Sequence, residues 1–325
     1  MKKIGALLVL VASAWAQSAS PAPAADPAGQ SAPQNTSPTS VSFPVERIQT
    51  PTKADLYCAG FITKQAVPNA NFIAGGLNTP NTTKFVNDDI VYLVGSGYQA
   101  GAEYTIVREL QDPNQYEVFP GQHAAVAAAG QPYAEVGRVR VIDTRNKAAV
   151  AQVEFACDTI TIGDTAIPFA EKPAIAFHAP LRFDRFAPPS GKLSGRIVLA
   201  KDFDLELGTG MKVYLNVGSS QGVKVGDYFR AVRSYATDLS DPVDSLSFRA
   251  STTEDTQKRQ PRVEPSLMNM TYGKGPVIRV RDLPQRAVGE VVVIGITPTA
   301  ATGMIVFALE DVHVGDGVEL DEQQQ

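Results

Sequence analysis

Three histidines, His123, His178 and His313, are the side chains best suited to proton transfer near neutral pH or to metal ligation. None has a Cys, a second His or a carboxylate at metal-ligand spacing, so no zinc site is expected. Val312 and Val314 flank His313, and strand alternation turns its side chain to solvent. No G-x-S-x-G elbow marks a nucleophile. The run GSGYQAG (95–101) is Gly-rich, but it lacks the Lys-Ser/Thr of a phosphate loop and reads as a hairpin. The acid groups Asp88-Asp89, Asp202/Asp204/Glu206 and Glu310-Asp311 are the candidates for paired carboxylates. A glycoside hydrolase needs two such groups across a cleft at a set separation. In AKDFDLELGTG the acids alternate with Phe203, Leu205 and Leu207, the pattern of a solvated strand face. No catalytic residue, cofactor-binding residue or metal ligand is therefore assigned, and no cofactor is expected.

Cysteine offers a second kind of chemistry. Only Cys58 (DLYCAGF) and Cys157 (VEFACDT) are present, near the first and last strands of one module. In an oxidising compartment two such residues read first as a disulfide. Two buried free thiols are the next reading, and redox catalysis is the last because there is no C-x-x-C.

These residues sit on a repeated frame. Residues 136–164 match 288–316 without a gap, at an offset of 152. Gly137 meets Gly289, Phe155-Ala156 meets Phe307-Ala308, and Gly163-Asp164 meets Gly315-Asp316. In the same alignment Cys157 falls on Leu309, a core-facing slot. A looser match upstream pairs 91–108 with 213–233, three residues longer in the later copy. Two matches in the same order point to duplication. The unit reads as strands: GRVRVID and GEVVVIG alternate, and hairpin turns at TRNK and ITPT lead to AAVAQVEF and ATGMIVFAL. The pairs Gly163-Asp164, Gly226-Asp227 and Gly315-Asp316 mark chain reversals. There Gly takes unusual dihedrals and Asp bonds the backbone locally, which is turn chemistry rather than a calcium loop. A short helix is expected at 123–130. The corresponding position of the second module carries a longer insertion, 234–287. Loops of this kind are where specificity resides.

The ends of the chain and its charge bound the setting. Lys2 and Lys3, the apolar run Ile4–Val11 and the Ala14-Trp15-Ala16 site have the form of a signal peptide cut after residue 16. The formal charge of −5 then becomes −7, 27 basic against 34 acidic side chains. An acidic chain with no basic block argues against nucleic acid. No later apolar run reaches the ~20 residues of a transmembrane helix. Residues 17–50 are Pro-, Ala- and Ser-rich and read as a disordered tether. The Pro-rich connector 171–192 is too apolar for a free linker and should lie against the modules.

The pattern at 194–320, SGRIVLA, then VYLNVGSSQGVKVGDYFRAVRS, then the VGEVVVIG repeat closing on VHVGD, resembles the C-terminal β domain of the flagellar assembly protein T family and of related LysM-associated bacterial envelope proteins. The resemblance implies a small barrel-like module, a scaffold or assembly role, and no catalytic residues. The family's N-terminal domains have no counterpart here; a second barrel copy and the tether stand in their place.

The expected fold is mainly β: two related antiparallel barrel- or sandwich-like modules in tandem at 51–170 and 193–322, a disordered N-terminal tether and a short helix. The expected function is an exported, non-enzymatic scaffold or interaction protein of the bacterial periplasm or cell surface, with an envelope protein or peptidoglycan as partner. Lys258, Arg259 and Arg262 of the insertion are the candidate partner surface. Glycan binding, with Tyr228, Tyr235 and Tyr272 as the suggestive aromatics, is the alternative, and a periplasmic hydrolase stands behind it.

Overall fold

The computed structural model describes residues 48–145, 147–176, 183–186, 188–235, 256–264 and 274–321. The expected signal peptide, nearly all of the tether, His178, Tyr272 and much of the 234–287 insertion lie outside the described residues.

The first module contains α1 (Lys53–Tyr57), β1 (Phe61–Thr63), β2 (Phe72–Gly76), β3 (Lys84–Phe85), β4 (Ile90–Val94) and β5 (Glu103–Glu109). These are followed by α2 (Gln122–Ala129), β6 (Gln131–Arg145), β7 (Ala148–Ala156), β8 (Ile160–Thr161) and β9 (Thr165–Pro168). The second module contains β10 (Ser194–Ala200), β11 (Glu206–Leu207), β12 (Lys212–Leu215), β13 (Tyr228–Arg233) and β14 (Arg262–Glu264). It continues with β15 (Val277–Arg279), β16 (Arg286–Ile296), β17 (Ala301–Ala308), β18 (Val312–His313) and β19 (Gly317–Leu320).

Each module closes into a six-stranded antiparallel barrel. The first ring runs β2-β4-β7-β6-β5-β9 and back to β2, with β1 added along β6. The second runs β10-β12-β17-β16-β13-β19 and back to β10. The two orders are the same strand for strand. Even the small side pairs β3–β8 and β11–β18 correspond.

The copies also share their irregularities. Register shifts fall at Ile73/Gly75 and Ile197/Leu199, at Ile106/Val107 and Ala231/Val232, at Arg138/Val139 and Glu290/Val291, and at Val141/Asp143 and Val293/Gly295. Bulges set the curvature a sheet needs to close on itself, so their retention keeps two barrels of the same shape. Gly137 and Gly289 mark one such corner. A Cβ at either would sit 2.6 or 2.5 Å from the carbonyl oxygen of Phe155 or Phe307.

The inward residues are apolar, as the alternation requires. Ile73, Leu93, Val139 and Val153 fill barrel 1, and Ile197, Leu215, Val291 and Ile305 hold the same places in barrel 2. Truncating one of these to Ala typically costs about 2–5 kcal/mol.

Residues Glu46–Gln325 form one compact unit, and the two barrels share a joint. Ile62, Phe119 and Ala129 of the first module belong to the core cluster of the second barrel. Around them hydroxyls of barrel 2 satisfy carbonyls of module 1. Tyr214 Oη donates to Ala59 O (3.2 Å), Thr302 Oγ1 to Gly60 O (3.0 Å), Thr297 Oγ1 to Ile62 O (2.7 Å), and Thr299 Oγ1 to Ala129 O. The connector adds a clamp: Lys172 Nζ lies 2.6 and 2.7 Å from the two carboxylate oxygens of Glu135 and 2.8 Å from Leu56 O.

Several local expectations change. α1 was not anticipated; it is held by a capping box in which Thr52 and Asp55 satisfy each other's backbone N–H groups. Cys58 closes this helix, three residues before β1. Asp202 and Asp204 lie not on an alternating strand but around a turn in which Phe203 has φ 62°. No helix among the described residues is long and apolar enough to cross a membrane.

Candidate functional site

Cys58 and Cys157 form a disulfide, with Cα atoms 5.5 Å apart. It ties the α1–β1 segment to the end of β7. Both cysteines are half-buried, so the Cys157 slot is a boundary position rather than a core one. In barrel 2, Leu309 occupies that slot and packs apolar surface instead.

The three Gly-Asp turns share one geometry. Gly163, Gly226 and Gly315 take φ values of 94°, 93° and 107°, where only Gly is comfortable. Each Asp accepts the backbone N–H three residues earlier: Thr161 to Asp164 (2.7 Å), Lys224 to Asp227 (2.8 Å) and His313 to Asp316 (2.7 Å). His313 itself is half-buried between two buried valines.

Two of these aspartates do more. Arg108 Nε and Nη2 reach the two Asp164 oxygens at 2.8 Å each, and Nη2 also donates to Thr159 O at 2.7 Å. Arg233 grips Asp316 at 2.8 and 2.7 Å and donates to Asp311 O at 2.6 Å. A bidentate arginine fork thus locks β5 to the β8–β9 turn, and β13 to the β18–β19 turn. The signal was present in sequence: TIVR and FRAVR end the looser repeat match on the same residue. Among the described residues no arginine forks onto Asp227, which serves the turn through Lys224 N.

The slot between the third and fourth chain-order strands of each ring carries the insertions. In barrel 1 it is residues 110–130, including α2. Glu117 accepts from the N–H groups of Gly121 and His123 at 3.0 Å each, which holds its carboxyl below the usual range. Gln122 accepts from Val118 N (2.8 Å) and donates to Val198 O of barrel 2 (3.1 Å). Phe119 is buried beneath the Arg196 guanidinium, 4.9 Å from its ring centre, and against Gly315. This insertion is a docking element seated on the neighbouring barrel.

In barrel 2 the same slot, between β13 and β16, is far longer. Its described part pairs β14 with β15 in parallel. Lys258, Arg259 and Arg262 are exposed, as are Lys274, Arg279 and Arg281. Acids are interspersed: Glu264 is the cross-strand partner of Arg279, and Asp282 lies 3.7 Å from Arg281.

Of the three suggested aromatics, the two among the described residues do not lie on the open surface. Tyr228 is buried in the core, and Tyr235 is half-buried with Arg286 over its ring. A different aromatic groove of about 550 Å³ lies between α1 and barrel 1, lined by Tyr57, Phe155, Phe169, Arg138, Glu103 and Glu154. Arg138 stacks on Phe169 there (4.9 Å) and pairs with Glu103 and Glu154, which Arg140 also binds. Among the described residues no cluster of three His, Cys, Asp or Glu side chains could hold a metal ion.

No protein-family model matches the chain, and no curated protein matches it.

Proposed function

We propose that the chain is an exported, non-enzymatic scaffold of the bacterial cell envelope that binds a protein partner through the insertion between β13 and β16. One observation carries the reading: the equivalent insertion of barrel 1 already acts as a docking element. Phe119 and Gln122 seat it on barrel 2 by burying one aromatic ring and satisfying one strand carbonyl. A longer insertion in the same slot, on a barrel of the same shape, is placed to do this to another protein. The exposed Lys258, Arg259 and Arg262 then form a rim that favours an acidic partner surface. The resemblance to the flagellar assembly protein T domain supports the same class of role, and the disulfide agrees with an oxidising compartment.

The test is crosslinking and affinity capture of the tagged mature protein from its native envelope, beside a variant lacking 238–284. A defined protein recovered by the first and lost with the second is the expected result. Recovery of the same material with both, or of none, overturns it.

A second reading, peptidoglycan binding, draws on the groove of Tyr57, Phe155 and Phe169. Aromatic rings beside arginine and carboxylate groups suit a sugar's apolar face and hydroxyls. Sedimentation with purified murein, lost on Phe169→Ala, would favour it over the protein partner.

A further inference from the structure

The two rings differ at one seam, where the first strand of each meets the last. In barrel 2, β10 and β19 pair at Ser194↔Glu319, Gly195↔Val318 and Arg196↔Gly317. The chain before β10 continues the contact: Leu193 O accepts from Leu320 N at 2.8 Å, and Ser190 N donates to the Glu319 carboxylate at 3.3 Å. In barrel 1, β2 and β9 pair only at Phe72↔Thr165. Past the bond from Ala166 N to Asn71 O (2.8 Å), no backbone hydrogen bond among the described residues crosses that seam.

Two substitutions account for the difference. Pro168 stands where barrel 2 has Leu320, so the N–H that reaches Leu193 O has no counterpart. Ile167 stands where barrel 2 has Glu319, so the carboxylate that receives Ser190 N is missing as well. The chain before β2 is therefore not drawn down onto β9. A cavity of about 620 Å³ lies at the parted seam, lined by 65–68, Ala70 and Asn71 on one side and by Ala166, Ile167 and Pro168 on the other.

This cleft is open: Ala66, Pro68, Ala70 and Pro168 are exposed, and Ile167 and Val67 are half-buried. No charged side chain lines it. Among the described residues no protein group accepts from the N–H of Ala66, Val67 or Ala70. On the other side Ala166 N turns to Asn71 and Phe169 N to Glu103, so strand alternation turns Pro168 O toward the seam. Both walls thus offer backbone groups to a ligand. A charged ligand group would lose water here and meet no counter-ion. The matching chemistry is N–H and C=O groups at strand spacing without charge, and barrel 2 places extended chain on the same seam.

We propose that the parted seam of barrel 1 binds an extended, uncharged peptide segment of the protein partner, laid between β9 and the 65–70 wall. Pro168 keeps the chain from closing its own seam and leaves a carbonyl for the peptide's N–H groups. The inference rests on the scaffold reading and adds a second contact to it.

The experiment is selection from a displayed library of random heptapeptides on the full mature chain. Enriched sequences are then resynthesised with capped ends and titrated into the wild type, Ile167→Glu and Ala66→Glu. Glu is the residue barrel 2 carries at the first site, and the second site is exposed on the opposite wall; circular dichroism checks both folds. Enriched peptides should lack Asp, Glu, Lys and Arg, should shift the amide resonances of 65–71 and 166–169, and should bind each variant about tenfold more weakly or worse. No enrichment, enrichment of charged sequences, or binding that neither variant weakens overturns the proposal. Chito-oligosaccharide that moves the same amides where no peptide does overturns it in favour of a glycan. An envelope protein captured through 238–284 without any such peptide leaves the scaffold function standing; capture of none removes both.

Discussion

Barrel 1 and barrel 2 have the same ring, the same four bulges and the same arginine fork, yet opposite outer faces. The outward residues of β6 and β7 include Arg140, Gln152 and Glu154; at the matching places of β16 and β17 stand Val292, Met304 and Val306. The interior kept its chemistry because closure constrains it. The exterior followed whatever lay on it: water and ion pairs over barrel 1, the α1–β1 segment and connector over barrel 2. Internal duplication therefore separates what the fold needs from what its surroundings need.

The largest expected effect tests the shared fork at two depths. The side chains of Arg233 and Asp316 are 6% and 1% exposed, whereas those of Arg108 and Asp164 are 28% and 4%. Removing one partner of a buried pair strands the other charge and costs about 3–5 kcal/mol. Asp316→Ala should lose that much in denaturant unfolding. Asp164→Ala should lose less, about 2 kcal/mol, since water reaches Arg108 and Asp158 lies 3.4 Å away to share its charge. Equal losses would show that burial does not grade the two forks.

Next comes the staple that only barrel 1 carries. The disulfide spans 99 residues, a loop whose closure is worth up to about 4–5 kcal/mol through the unfolded state. Reduction should lower stability by about 2–4 kcal/mol. It should also loosen the α1–β1 segment first, read as faster amide exchange at 53–63 than in β16–β17. Uniform exchange across both regions would place the staple's effect elsewhere.

Arg138 and Glu290 are equivalent residues of opposite charge, and only the second is sealed in. Burial, with the Asp321 charge adding to it, pushes Glu290 from 4.5 up to about 7. The folded state thus holds this proton more tightly than the unfolded chain. Its contribution is complete below pH ~4.5 and is lost as pH rises through about 7. Glu290→Gln, neutral at every pH, should be more stable than the parent at pH 8 by about 3 kcal/mol and equal to it at pH 4. A constant difference across that range would remove the titration from the account.

What could be read from the chain divides along the same line. The strands, the turn glycines and the disulfide were legible because each is written in a local pattern or in a residue with few roles. Arg108 and Arg233 were in plain sight at the end of a repeat, but their partners lie 56 and 83 residues away, and only closure of the ring brings them together. α1 has five residues, too few for a periodic signal, although Thr52 and Asp55 spell its cap. Tyr228 could be read either as an exposed aromatic or as core, because β13 gives no hint that the connector covers it. Burial of an outward residue is a property of what docks on it, and docking has no local signature.

The smallest effect tests that last point on one matched pair. Thr302 and Val150 occupy the same outward position in β17 and β7. Under the joint, Thr302 is buried and its hydroxyl is a donor to Gly60 O. Thr302→Val leaves that carbonyl unpaired away from water and should cost about 1–2 kcal/mol. Val150→Thr places a hydroxyl on a half-exposed face where water can bond it, and should change stability by less than about 0.5 kcal/mol. Denaturation midpoints of the two variants, each measured against the parent, therefore separate a face sealed by the joint from one that stays wet; equal losses would show that the joint does not set the cost.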